Sequence, residues 1–294
     1  RYSPSTVLCA VDFSEQSRLA LKYSAVGAMS YGARLVVIHA HRFDIPPYFT
    51  PAQIDTIKQQ LDLARAGAVD SLRHYAGSVL GRIANSLQIE YRVVDAHPVD
   101  AILDTASTEN ANLVVLGTHG RGGAKRLWLG SVAENVATHA EVPVFIVRQK
   151  QHEFIDTATP EAPVRLKTVV VPTDFGPASR AALGVGASIA ERFHARLVPV
   201  CVLESRDPAA AVDAETKLKE WLGEDRQSTC VVEPVTRIGS AHDEIVAFIN
   251  ETRADLLVLG SGNTRIAGQP VLGRTTRLLL RKAPVPVLVV PPGL

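Results

Sequence analysis

Short apolar runs alternate along this chain with longer stretches whose apolar residues recur at helical spacing. The runs predict strands near Thr6–Val11, Arg34–His39, Gln88–Val94, Leu113–Leu116 and Val144–Val147. Helices are expected near Glu15–Tyr31, Ile54–Ala76, Pro98–Glu109 and Ser131–His139. The same order then returns, with strands near Thr168–Val171, Arg196–Val202, Thr229–Val235, Leu256–Leu259 and Val287–Val290. Its second helix, over Ala209–Leu222, is shorter. Strands alternating with helices imply a parallel sheet covered on both faces. The expected class is α/β, as two tandem, doubly wound, five-stranded parallel-sheet domains.

The return is a duplication. Val7-Leu8-Cys9-Ala10-Val11-Asp12-Phe13 corresponds to Val169-Val170-Val171-Pro172-Thr173-Asp174-Phe175 at an offset of 162, which also pairs Ser17 with Ser179 and Arg34 with Arg196. Further on, Ala111–Gly117 corresponds to Ala254–Gly260, and Val142-Pro143-Val144 to Val285-Pro286-Val287, at an offset of 143. The second copy is therefore 19 residues shorter in its middle. Repeats of about 140 residues match the usual size of a domain. The expected division is residues 1–150, a polar linker over 151–165 carrying Pro160 and Pro163, and residues 166–294.

The richest segment is Gly117-Thr118-His119-Gly120, nine residues, then Gly130-Ser131. It follows the strand Leu113–Leu116 and precedes the helix that starts near Ser131. Glycine lets a backbone approach an anion closely, and a helix N-terminus offers N–H groups and a positive dipole end. Together they read as a phosphate cradle. A tight strand-to-helix loop without ligand is the other reading, and Ser131-Val132-Ala133-Glu134 also has the form of a capping box. Asp12 ends the first strand at the carboxyl edge. It is either a ligand group or an N-cap, a role for which Ser14 competes.

The spacing G-x2-G-x9-G-S after a strand resembles the universal stress proteins, in their ATP-binding branch, and the resemblance runs over nearly the whole chain twice. It implies the doubly wound, adenine nucleotide α-hydrolase-like fold, with ligand at the carboxyl ends of the strands. It further implies that Asp12 reads the adenine and that Ala40 is the small apolar residue against it. Val11 stands where threonine is common. Leu116 and Gly117 would line the ribose and α-phosphate, while Gly120, Gly130, Ser131 and Val132 hold the phosphates. The implied cofactor is ATP, with or without Mg²⁺. Arg121, Lys125 and Arg126, inside the loop, read equally as phosphate partners or as a solvated basic stretch, and His119 as a phosphate contact or an exposed side chain.

The second copy reads Gly260-Ser261-Gly262-Asn263, nine residues, Gly273-Arg274. Asp174 and Val202 keep the adenine-side positions. Asn263 replaces a glycine but tolerates left-handed backbone. Arg274 replaces the serine, is a poor N-cap, and leaves Thr275 or Thr276 to take that role. The second half is expected to have lost or weakened ATP binding. Arg274 as a cation for phosphate, or as a residue packing the halves together, are the competing readings.

A net charge of +1 gives no electrostatic case for nucleic acid or membrane surfaces. No apolar run approaches the length of a spanning helix, and no secretory signal is visible. The chain starts at Arg1, so further residues are expected upstream. Cys9, Cys201 and Cys230, odd in number and far apart, read as free thiols in a reducing cytoplasm. His39 and His41 fall on one face of a strand, and with His97 or His119 they would stand at the carboxyl edge. Without Cys/His ligand spacing, no metal is expected.

No G-x-x-x-x-G-K-[ST] loop is present, and no paired carboxylates flank the glycine loop. A nucleotide-binding sensor or regulator of the stress response is therefore expected, with weak ATPase activity at most. The other classes are a slow ATP-hydrolysing enzyme and an interaction protein that binds no nucleotide. The last strands, Val142–Val147 and Val285–Val290, pair across dimers in the resembled family. This implies pairing of the two halves within the chain, with a homodimer left open and any protein partner unspecified.

Overall fold

The structure, a computed structural model, describes residues 1–40, 67–118, 129–148, 153–157, 164–204, 208–223, 230, 232–262, 264–266 and 269–293. In the first half the strands are β1 (Thr6–Ala10), β2 (Arg34–Ala40), β3 (Ile89–Val94), β4 (Leu113–Gly117) and β5 (Val144–Val147). The helices are α1 (Glu15–Tyr31), α2 (described over 67–80), α3 (Pro98–Thr108) and α4 (Ser131–His139). The second half carries β6 (Thr168–Thr173), β7 (Arg196–Leu203), β8 (Val235–Ile238) and β9 (Leu256–Gly260), a hairpin of β10 (Thr264–Ile266) and β11 (Gln269–Val271), and β12 (Val287–Val290). Its helices are α5 (Pro177–Phe193), α6 (Pro208–Gly223), α7 (Ala241–Thr252) and α8 (Arg274–Lys282).

Alternation along each strand sorts side chains onto two faces. In β1, Val7 and Cys9 join a core beneath α1 and α2, while Leu8 joins the core beneath α3 and α4. In β9, Leu256 and Val258 lie with α5 and α6, and Leu257 and Leu259 with α7 and α8. Each core runs through both halves without a break. A strand buried on both faces has no polar side to show, which is why these runs read as continuously apolar.

Each half has the expected five parallel strands, ordered 3-2-1-4-5 in the first and repeated in the second. The two sheets merge into one of ten strands, because β12 pairs antiparallel with β5. Val287 lies opposite Ile146, Leu288 opposite Phe145 and Val289 opposite Val144. Each last strand thereby covers the other's apolar edge.

The expected strand over Thr229–Val235 forms later, at β8. Val232 makes only an isolated bridge to Leu197. Pro234 has no N–H to give to a ladder, so regular pairing begins after it. Most of the expected helix Ile54–Ala76 lies outside the described residues, and the described part continues to residue 80 before a 3₁₀ turn, Gly81–Ser86. The hairpin β10–β11 had no sequence expectation.

Candidate functional site

The strand order reverses between β1 and β4, so the helices after these two strands leave to opposite faces and a crevice opens at their carboxyl ends. A cleft of about 480 Å³ occupies that place. Ala10, Val11 and Asp12 line it from β1, Ile38 and Ala40 from β2, and Leu116, Gly117 and Thr118 from β4. Pro98 and Ile102 of α3 form one wall, and Leu129 to Ala133 bring in the start of α4.

Asp12 is held by the turn that follows it. Its Oδ1 accepts from Ser14 N–H at 3.1 Å and Ser14 Oγ at 2.6 Å. Phe13 between them has φ 65°, a left-handed conformation that is uncommon outside glycine. Ser14, not Asp12, caps α1, accepting from Ser17 N–H at 3.2 Å. Asp12 is thus released from capping and stands in the cleft wall. Phe13 packs on the rings of His39 and Tyr75, at 4.7 and 4.9 Å, on the far side of the strand. His39 Nδ1 bonds Val11 O at 2.8 Å, so it faces away from the cleft that Ile38 and Ala40 line. His41 and His119 lie outside the described residues. Among those described, no three His, Cys, Asp or Glu gather closely enough to hold a metal.

At the other end of the cleft, the N-cap of α4 is Gly130, with φ −65° and ψ 146° and no side chain to cap with. Ser131 is the first helical residue, so the capping box read in Ser131-Val132-Ala133-Glu134 does not form. Gly130 N–H donates to Thr118 O at 2.7 Å, which removes it as a phosphate donor and pins the loop's end to β4. The helix carbonyls first reach Glu134, whose N–H bonds Gly130 O at 3.0 Å. The N–H groups of Ser131, Val132 and Ala133 lie in the first turn, beyond the reach of any helix carbonyl. They border the cleft, at the positive end of the α4 dipole.

Gly117 lines the cleft as expected and has a packing reason as well. A Cβ built on it would lie 2.8 Å from Gln16 Cβ and 2.9 Å from Gln16 C. The absent side chain is what lets α1 lie close against β4. Gly120, Arg121, Lys125 and Arg126 fall outside the described residues. Of the nine first-half positions expected at the site, the other eight line one cleft. Sequence reasoning missed Ser17, Ile38, Pro98, Ile102 and Leu129, all cleft residues. Ser17 recurs as Ser179, Ile102 as Ile245 and Leu129 as Leu272, the signals the repeat offered, though Ser17 serves equally to bond Ser14 O and the other two to fill the core.

Cys9, on the opposite face of β1, is fully buried, and burial pushes its thiol up to about 12. Among the described residues that line the cleft, Asp12 is the sole charged one. Its surroundings are apolar at the β2 and α3 end and rich in backbone donors at the α4 end.

The second half keeps the frame and changes the contents. Asp174 Oδ1 accepts from Gly176 N–H at 2.9 Å and Ser179 Oγ at 2.8 Å, and Phe175 repeats the left-handed turn with φ 64°. Gly260 presses on α5 as Gly117 presses on α1, a Cβ there meeting Ala178 C at 2.5 Å. Val202 sits in β7, opposite Arg237 of β8. The left-handed loop residue is Gly262, with φ 57°, at the position of His119, while Asn263 lies outside the described residues. Gly273 is the N-cap of α8, so neither Thr275 nor Thr276 caps it. Thr276 Oγ1 instead donates to Gly260 O at 3.0 Å. Arg274, the first residue of α8, is exposed. Arg277 and Arg281, not Arg274, make the ion pairs that join α8 to the first half.

The description Universal stress protein family matches the chain twice, over residues 4–148 and 165–291. A universal stress protein of Thermus aquaticus is 32% identical over 144 residues, covering 49% of this chain and 98% of its own length. One from Mycobacterium tuberculosis is 28% identical over 302 aligned positions, covering 96% of both chains. The crystal structure of a universal stress protein from Archaeoglobus fulgidus superposes with a TM-score of 0.71 at 22% identity, covering 99% of this chain and 100% of that one. The last likeness is one of fold.

Proposed function

The chain belongs to the universal stress protein family, and with it to the stress response; on that premise we propose that its first half binds an adenine nucleotide, ATP, and that the protein works as a nucleotide-dependent sensor or regulator. The observation that carries this is the meeting, in one cleft of about 480 Å³, of an apolar slot and an uncapped helix start. That volume lies within the usual range for small-molecule sites.

The base lies between Val11, Ile38 and Ala40 on the strand side and Pro98 and Ile102 on the helix side. Asp12 accepts from its exocyclic amine. The ribose follows Leu116 and Gly117. The phosphates reach the N–H groups of Ser131, Val132 and Ala133 and the Ser131 hydroxyl. Gly130 contributes an extended cap without a side chain, which keeps that approach open. A single carboxylate does not build an Mg²⁺ site, so any Mg²⁺ arrives on the phosphates and leaves with them. With no base or second acid among the described residues of the cleft wall to position an attacking water, the reading is of a binder rather than a hydrolase. The second half, with Arg274 at the place of Ser131, is read as holding no nucleotide.

Quantifying nucleotide released on denaturation, together with titration by ATP, tests this. About one adenine nucleotide per chain, lost in Ala40→Leu, supports it. Two per chain overturns the reading of the second half. None, with no titration, moves the protein to the interaction class.

A further inference from the structure

The halves meet about a local two-fold axis, and residues near it face their own counterparts. Phe145 lies opposite Leu288, its counterpart in the repeat. Tyr31 meets its counterpart Phe193, edge to face, with centroids 5.9 Å apart. These apolar pairs would serve as well between two like halves. One pair would not. Glu134 of α4 faces its own counterpart, Arg277 of α8, with Oε1 3.4 Å from Nε. Arg281 adds a second cation, 3.0 Å from Glu134 Oε2. The Arg277 Nε is buried and makes no hydrogen bond among the described residues, and this carboxylate is its charge partner.

On a two-fold axis each residue of a like pair meets its own kind. Two first halves would set Glu134 against Glu134. Two second halves would crowd Arg277 and Arg281 against the same two residues, with no acid at that place. A second feature runs the same way. Arg148 donates from Nη2 to Leu280 O at 2.6 Å and from Nη1 to Arg281 O at 2.9 Å, satisfying the last carbonyls of α8. Its counterpart is Pro291, which has no donor to return. Two second halves would lose both caps.

We propose that the joint is selective for unlike halves: the β5–α4 face recognises the β12–α8 face, in its own chain or in a second copy, and rejects its own kind. A partly exposed ion pair stabilises little by itself. Selectivity depends instead on the difference between meeting the opposite charge and meeting the same one, and both signs contribute.

Two full-length variants test this, Glu134→Arg and the double variant Arg277→Glu with Arg281→Glu. Each sets like charges across its own joint, and a fall in Tm of roughly 2–4 °C is expected for each in low salt. All three substitutions in one chain restore opposite charges and recover most of the loss. The triple variant also shows that the new residues fold in place. Refolded together in equal amounts, the two variants are expected to form a species of twice the mass by native mass spectrometry, with halves exchanged so that each joint is again unlike. About 1 M salt, which shortens screening to roughly 3 Å, should weaken that preference. Additive losses in the triple variant, or a mixture that stays monomeric at the stability of its parts, would overturn the proposal.

Discussion

Gly117 and Gln16 approach so closely that a Cβ on the glycine would stand 2.8 Å from the Gln16 Cβ. The glycine that opens the glycine-rich loop is thus also the point where α1 rests on β4. Gly117→Ala forces either the helix or the strand to move, and overpacking of this kind costs about 1–3 kcal/mol. A lowered urea midpoint with unchanged m is expected, with or without nucleotide. Gly260→Ala, with backbone at 2.5 Å, should lose as much or more. A Gly117→Ala protein of full stability that has lost only ATP would refute this account of the glycine.

Occupancy of the cleft should appear as stability, because a ligand bound by the native state alone shifts the folding equilibrium. At about 100 times Kd the gain is about 2.7 kcal/mol. ATP is expected to raise Tm in the parent chain. Ala40→Leu fills the base slot from the end of β2, so it should fold and show no such rise. Differential scanning calorimetry with and without ATP reads both.

Arg148 reaches from the end of β5 to the last turn of α8, and burial lowers the pKa of its guanidinium. Arg148→Met keeps much of the stem and removes both donors, leaving Leu280 O and Arg281 O without them. Hydrogen bonds from charged groups contribute about 1.5–3 kcal/mol, so a loss of that order is expected in equilibrium unfolding. Arg148→Lys should recover only part, since one ammonium does not reproduce the planar fork.

Burial also sets a limit in alkali. Folded, the Cys9 thiol keeps its proton up to about 12, against an ordinary 9.0. Between these values the native state holds a proton that the unfolded state has released. Stability from this group is therefore whole below pH 9 and falls as pH rises, by about 1.4 kcal/mol per unit. Tyr31, raised by burial from 10.0 to about 12, adds a similar fall above its own ordinary value. Cys9→Ala should have a shallower stability curve above pH 9 than the parent. Parallel curves would show that Cys9 ionises as readily folded as unfolded.

Much of the cleft was legible along the chain. Val11, Asp12, Ala40, Leu116, Gly117, Gly130, Ser131 and Val132 were expected together, and all of them line it. They sit at strand ends and a helix start, which apolar runs and glycines mark locally. Pro98 and Ile102 were not legible as site residues, because nothing near them says that α3 leans over the end of β2. The use of Gly130 N–H was hidden for a similar reason: its acceptor, Thr118 O, lies across a loop. Ser14 took the cap that Asp12 competed for through a left-handed Phe13, a backbone choice that residue type alone disfavours.

Strand and helix order, the duplication and the glycine-rich loop were all written in the linear chain, since period and repeat are properties of neighbours in sequence. The register that sets Phe145 opposite Leu288 came only with folding, as did the contact that requires Gly117 to lack a side chain and the pairing of Glu134 with Arg277. Each of these joins residues far apart in the chain. Hydrogen-bond geometry and close packing select their partners once the sheet exists, and burial and charge then decide which contacts hold.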